Sequence, residues 1–356
     1  MSRPDLQHSS RRRAPAVVAV ALSALAIIVP ACGGGSGSPN PVQPTPVTPP
    51  PPPSTAGTLR GTVVDMLSGA GVEGATLTFN LASGDVAVTS SGGGAWELSQ
   101  PSSTLTTIPV EIAAPGFVTR RTYVRWAVGI RDGIAIDIIR ESNPFSLSYY
   151  QALVRNLFSE PDKPPEPLRR WTSPPDFYVH TFNPRTGTTL LQSEIDLLRD
   201  VIQSAVPQLT GGRFGAGQIE FGAEAREPRP GVINVRFIHD PDSEYCGRAY
   251  VGANPGDIEL NYGVGGCGAT CGGFAPRTVA HEIGHAMGFF HVEIGTVLNT
   301  NWFGSQCGVT AFSEAERHHA HVAYSRLPGN RDPDVDPPSA PFLDGAAGTP
   351  VRIRCR

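Results

Sequence analysis

The sequence predicts an α+β protein in which an all-β sandwich precedes a mixed-sheet α/β domain. Three observations predict it. Between residues 57 and 140, short β-branched or alternating runs are separated by Gly, Ser and Pro turns. From 141 to 330, segments with apolar residues at three- and four-residue steps alternate with strand-like runs. The 356 residues include 40 Gly and 35 Pro with only 17% charged residues, a composition that suits two loop-rich, β-rich domains outside the cytoplasm.

The first 32 residues carry a targeting pattern. The basic "RRR" at 11–13 precedes an apolar run from Ala14 to Val29 and then "PAC", which together describe a secretory signal. Cys32, after Ala31 and before Gly33, is similar to the modified cysteine of a bacterial lipobox, with Pro30 departing from the usual small residue. The expectation is an extracytoplasmic protein tethered by lipid at Cys32 to the cell envelope, at the outer membrane or cell surface. The alternative is a plain signal peptide and a secreted protein. Residues 33–56, Gly/Ser-rich and then "TPPPPPS", cannot form a core and read as a tether, extended at about 3.1 Å per residue.

In the sandwich region, 57–140, the runs "TLRGTVVD", "ATLTFNLA", "VAVTSS", "AWELS", "TIPVEIAA" and "IAIDII" read as strands. No catalytic constellation falls among them. Downstream, "SYYQALVRNLF" and "TLLQSEIDLLRDVIQSAV" read as helices, and "DFYVHTF", "GVINVRFI" and "DIELNY" as strands. "PRTVAHEIGHAMG" is helical, with Pro276 in the first turn and Gly288 at the end. "SEAERHHAHVAYSR" opens with a capping box, Ser313 with Glu316, and forms a last helix. Residues 331–356, containing "NRDPDVDPPSAP", read as a turn-rich tail. Asp332, Asp334 and Asp336 lack the rest of a calcium loop and read as a solvated turn. His318, His319 and His321 read as a solvated helix face. His180 and His239 receive no role.

Net charge is −4, so no basic field of the size that nucleic acid needs is present. Besides Cys32 there are five cysteines: Cys246, Cys267, Cys271, Cys307 and Cys355. In an exported chain they read as disulfide partners with one left over, their connectivity open.

The stretch that carries chemistry is "HEIGHAMGFFH". On a helix, His281 and His285 lie one turn apart on one face and can grip one ion. Glu282 stands one step round, beside that ion without binding it. Gly288 can take positive φ, and the sharp turn it permits brings His291 back as a third ligand. Three neutral imidazoles with a position left open suit catalytic Zn²⁺. Zinc lowers the pKa of water towards ~7 and polarises a carbonyl oxygen. Glu282 is the general base that takes the water's proton and returns it to the leaving amine. Five fixed positions arise by chance on the order of 10⁻⁵ per chain.

At every fixed position "HEIGHAMGFFH" resembles the signature of the metzincin zinc peptidases, in their matrixin-like spacing. The resemblance implies a metzincin-like domain over 141–330, with zinc ligands His281, His285 and His291 and catalytic base Glu282. It also implies an antiparallel edge strand along the cleft, assigned here near Cys246–Val251, on which a protein or peptide substrate pairs. Asn299 stands where the family places a methionine beneath the zinc, or Leu298 with a one-residue shift. Trp302 and Phe303 fall in the segment that walls the substrate pocket in the family. Residues 57–140 resemble the carboxypeptidase-regulatory-like sandwich modules of secreted bacterial proteins.

The expectation is a zinc metalloendopeptidase. Two alternatives are a surface binding protein whose metallopeptidase fold has weakened turnover, motivated by "VLN" in place of the methionine turn, and a structural protein whose working part is the sandwich. No oligomeric state, peptide specificity or latency segment is legible in the sequence.

Overall fold

The computed structural model describes residues 56–101, 106–126, 130–242, 245–262, 274–299, 307–338 and 350–354. The predicted signal, the lipobox at Cys32 and most of the linker lie outside the described residues, as do Cys267, Cys271, Cys355, Trp302 and Phe303.

The fold is α+β. Two sheets build the sandwich. One has the order β4-β1-β7, with β1 (Ala56–Asp65), β4 (Ala95–Pro101) and β7 (Ile130–Ile138). The other has the order β3-β2-β5-β6, with β2 (Thr76–Leu81), β3 (Gly84–Thr89), β5 (Thr106–Ala113) and β6 (Arg120–Trp126). All pairings are antiparallel except β1 with β7. Alternation puts one residue in two inward. Leu59, Val63, Leu77, Phe79, Leu98, Val110, Ile112 and Ile136 close a core between the sheets.

A third sheet has six strands in the order β11-β8-β12-β14-β13-β15. Here β8 (Asp176–His180), β11 (Ile219–Gly222), β12 (Val232–Ile238) and β14 (Gly256–Asn261) run parallel. β13 (Tyr245–Tyr250) and β15 (Pro350–Arg354) close the edge antiparallel. A two-residue hairpin, β9 (Phe182–Asn183) with β10 (Thr188–Thr189), precedes the second helix. On the outer face of the large sheet Arg236 bridges the half-buried Asp257 at 2.6 Å and the buried Glu259 at 3.0 Å.

The inner face carries helices α1 (Leu147–Arg155), α2 (Gln192–Leu209), α3 (Pro276–Ala286) and α4 (Glu314–Tyr324). Helix α1 starts on Ser146, whose hydroxyl accepts from the Tyr149 amide, and ends at Asn156 in the left-handed conformation. Helix α4 opens with the expected Ser313–Glu316 capping box. Among the described residues no helix is long and apolar enough to cross a membrane.

Residues 331–336 correct the expectation of a solvated turn. Asp334 and Asp336 are fully buried. Arg326 donates from Nε to Asp334 and from Nη1 to Asp137 on β7. Arg120 of β6 bridges Asp137 at 2.5 Å and Asp336 at 2.8 Å, and Asn330 donates to both Asp334 and Asp336 at 2.9 Å. The segment also pairs with β6 through its backbone, Arg121 N to Asp334 O at 2.9 Å and Asp336 N to Arg121 O at 2.8 Å. Burial opposes charge on Arg326, yet the carboxylates of Asp334 and Asp137 outweigh it and raise the guanidinium above its ordinary range. Sandwich residues Val118 and Ile139 join the core of the second layer. Ser54–Arg356 therefore forms one compact unit in which the sandwich is welded to the helices.

Candidate metal centre

Helix α3 delivers two histidines to one face, and the turn after it delivers the third. Pro276 occupies N1, where its missing N–H leaves nothing unsatisfied. The helix breaks at Gly288, whose φ is 109°. A Cβ there would stand 1.8 Å from the Arg169 carbonyl oxygen, so glycine is required both by conformation and by close approach. Carbonyls at this helix end all find donors. Trp171 Nε1 donates to Ala286 O at 2.8 Å, Tyr324 Oη to Met287 O at 2.8 Å, and the Gly252 amide to His285 O at 3.0 Å. The amide of Phe290 donates to Leu153 O at 2.7 Å, which fixes the direction in which the chain leaves.

The three predicted ligands meet. The Nε2 atoms of His281 and His285 are 2.8 Å apart, those of His281 and His291 3.1 Å, and those of His285 and His291 3.2 Å. Glu282, His281 and His285 are fully buried and His291 nearly so. His281 Nδ1 lies 2.6 Å from Val297 O, and His285 Nδ1 lies 2.7 Å from Phe289 O. A carbonyl can only accept, so each Nδ1 carries the proton and each of these Nε2 atoms presents a lone pair. Two lone pairs facing each other at 2.8 Å repel unless a cation sits between them. Tetrahedral zinc with N at ~2.0–2.1 Å places ligand nitrogens about 3.3 Å apart, a few tenths of an ångström wider than this triangle. The donor set therefore fits zinc, with backbone carbonyls orienting two of its ligands. Burial is the main cause that holds His281 and His285 well below the ordinary imidazole pKa, and it lowers His291 to about 4. All three stay neutral at neutral pH, the form that ligates.

Glu282 has no hydrogen-bond partner at either carboxylate oxygen, and burial raises its pKa well above the ordinary carboxylate value. It lies against β13. A Cβ on Gly247 would stand 2.5 Å from Glu282 Oε1, so the strand's lack of a side chain at that point makes the room the carboxylate occupies.

Beneath the helix, the loop 292–299 folds back. The Val292 amide donates to Leu298 O at 3.1 Å, and Val292 bridges Asn299. Leu298, fully buried, packs on α3 at Gly284, where a Cβ would stand 2.7 Å from Leu298 Cδ2. Leu298 thus packs against the helix between His281 and His285, and Met287 is buried at the helix end. The loop is held by Glu316. Its carboxylate accepts from the amides of Thr296 at 3.2 Å, Val297 at 3.0 Å, Leu298 at 2.7 Å and Ser313 at 2.6 Å, and from Thr296 Oγ1 at 2.9 Å. Glu316 therefore fixes the peptide whose carbonyl orients His281.

Sequence reasoning found Glu316 only as a helix cap and did not find Gly247, Trp171 or Tyr324. The "S-x-x-E" pattern was the one available signal for Glu316, and it says nothing of a loop eighteen to twenty residues upstream. His319, expected in solvent, is buried. Its Nδ1 donates to Ala315 O at 2.7 Å and its Nε2 accepts from the Ser146 amide at 2.9 Å, tying α4 to the start of α1. Cys246 and Cys307, expected as disulfide partners, are both disulfide-bonded.

No protein-family profile matches the chain, and no curated protein sequence matches it. Among solved structures it is similar to the Bacillus anthracis TIE protein, at 17% identity and TM-score 0.21, over 24% of this chain and 17% of that one. It is similar to 3-chlorocatechol 1,2-dioxygenase from Rhodococcus opacus 1CP, at 12% identity and TM-score 0.21, over 24% of this chain and 59% of that one. It is also similar to Klebsiella pneumoniae 5-hydroxyisourate hydrolase, at 16% identity and TM-score 0.18, over 24% and 94% of the two chains. Likenesses this slight assign nothing to the chain.

Proposed function

We propose that the chain is a zinc-dependent endopeptidase of the metzincin kind, exported and anchored by lipid at Cys32. The observation that carries this reading is the triangle of imidazole nitrogens, none more than 3.2 Å from another, beside a buried carboxylate with no partner. His281, His285 and His291 would hold the ion. When bound, zinc supplies Lewis acidity and an activated water at neutral pH. The chain's own groups do the rest. Val297 and Phe289 carbonyls keep two imidazoles in the Nδ1–H tautomer, so their Nε2 lone pairs are available. Glu282, with its proton affinity raised by burial, accepts the proton of the attacking water and donates it to the departing amine. Burial of these side chains strengthens each of these interactions.

Glu282→Ala tests the roles. Zinc content should remain at the parent's level while peptide cleavage falls by at least about 10²-fold, the low end of what general base catalysis contributes. A variant that cuts as fast as the parent removes Glu282 from the mechanism.

The weakened-binder alternative keeps the same zinc and predicts no cleavage of casein or a peptide library, with or without chelator. Its motive is Asn299 at the methionine position, next to Leu298, which is buried against Gly284 of α3.

A further inference from the structure

β13 has a strand on both sides. Within the sheet it pairs with β14. On its outer edge it pairs antiparallel with β15, Pro350–Arg354, in the register Tyr250↔Pro350, Ala249↔Val351, Arg248↔Arg352 and Gly247↔Ile353, shifting between Gly247 and Tyr245. Without β15, β13 would present a row of unpaired N–H and C=O groups, a template for any extended chain.

That edge adjoins the metal centre. Helix α3 packs on β13 and β14, and Gly247 is the residue whose missing side chain accommodates Glu282. The cross-strand neighbour of Gly247 is Ile353, one strand spacing away, about 4.8 Å. A peptide presented to Glu282 in extended form gains main-chain hydrogen bonds by adding to the free edge of β13. The chain's own residues 350–354 already make that addition.

We propose that the C-terminal strand occupies the peptide-docking edge and holds the site latent, so that substrate binds only when β15 leaves β13. The proposal rests on the peptidase reading. It identifies a latency segment of this chain, and it gives "PVRIR" the part of an internal competitor. A tethered competitor acts at an effective concentration on the order of millimolar, enough to exclude a free peptide of ordinary affinity.

The test opens the edge in the full chain with Val351→Pro/Arg352→Pro. Adjacent strand residues turn their N–H groups to opposite sides, so one of the two prolines removes an N–H aimed at β13. A second variant ends the chain after Thr349 and carries the test if the proline variant does not fold. Binding of fluorescein-labelled Pro-Val-Arg-Ile-Arg peptide is followed by anisotropy in a zinc-loaded Glu282→Ala background, so that the probe is not consumed. Either opened variant should bind it at least about tenfold more tightly than the closed chain. Equal affinity overturns the proposal. With Glu282 intact, kcat/KM on a peptide library should rise about tenfold on opening, and added PVRIR peptide should inhibit competitively. Cleavage at equal rates by closed and opened chains overturns latency and leaves the peptidase reading standing. Tighter binding with cleavage by neither chain supports the docking edge and overturns the peptidase reading.

Discussion

Glu316→Gln isolates the part of the account that links packing to metal binding. The carboxylate accepts from four backbone amides and a hydroxyl, with Val297 and Leu298 on Oε1 and Thr296 and Ser313 on Oε2. Glutamine keeps one accepting oxygen and turns an NH₂ towards the other pair. Two buried amides then face a donor. At about 1–3 kcal/mol for each buried group left unsatisfied, the loss of stability is about 4 kcal/mol. The loop that relaxes carries the Val297 carbonyl, the hydrogen-bond partner of His281 Nδ1. Losing such an outer partner weakens metal affinity by about 10–100-fold. Urea unfolding of the metal-free protein gives the first number and competition against a chromophoric chelator the second. Glu314→Gln, exposed on the same helix, is the control and should change stability by no more than about 0.5 kcal/mol. A folded Glu316→Gln variant with the parent's zinc affinity would show that the clamp does not support the His281 ligand.

Two further predictions concern stability. Asp137 pairs with Arg120 and Arg326, both buried, so Asp137→Ala should lower unfolding free energy by about 3 kcal/mol, with sandwich and helical layer still unfolding in one transition; separate transitions in the parent would contradict the weld. Burial lowers His319 to about 4, whereas the unfolded chain titrates near 6.5. The unfolded state therefore binds the extra proton, and stability is full above about pH 6.5 and lost as pH falls towards 4. At equal zinc loading, His319→Phe should flatten the slope of unfolding free energy between pH 6 and 4.5 by up to about 1.4 kcal/mol per pH unit, and an unchanged slope would sink the assignment.

Much of the fold was legible because its signals are local. The three- and four-residue apolar steps located α1 and α2, the Ser313–Glu316 capping box located α4, and short strand-like runs located β8, β12 and β14. The cluster of three imidazoles was legible for the same reason: His281 and His285 share a helix face, and one glycine turn returns His291. What escaped depends on distant partners. Tyr245–Tyr250, "YCGRAY", has no strong alternation, and only the family resemblance marked it. β15 is a strand because β13 lies beside it. Asp334 and Asp336 look solvated in sequence, and their burial is decided by Arg326 and by Arg120, which lies 216 residues away from Asp336. Glu316 showed its cap and hid its clamp for the same reason.

The central claim, that three converging imidazoles hold a zinc ion that makes this chain a peptidase, is tested most directly by one titration. Zinc per chain and peptide-library cleavage are followed together as chelator strips the purified protein and zinc is returned. One zinc per chain is expected, with cleavage lost and regained in proportion to it. A folded protein that takes up no zinc, or whose cleavage ignores the chelator, would contradict it.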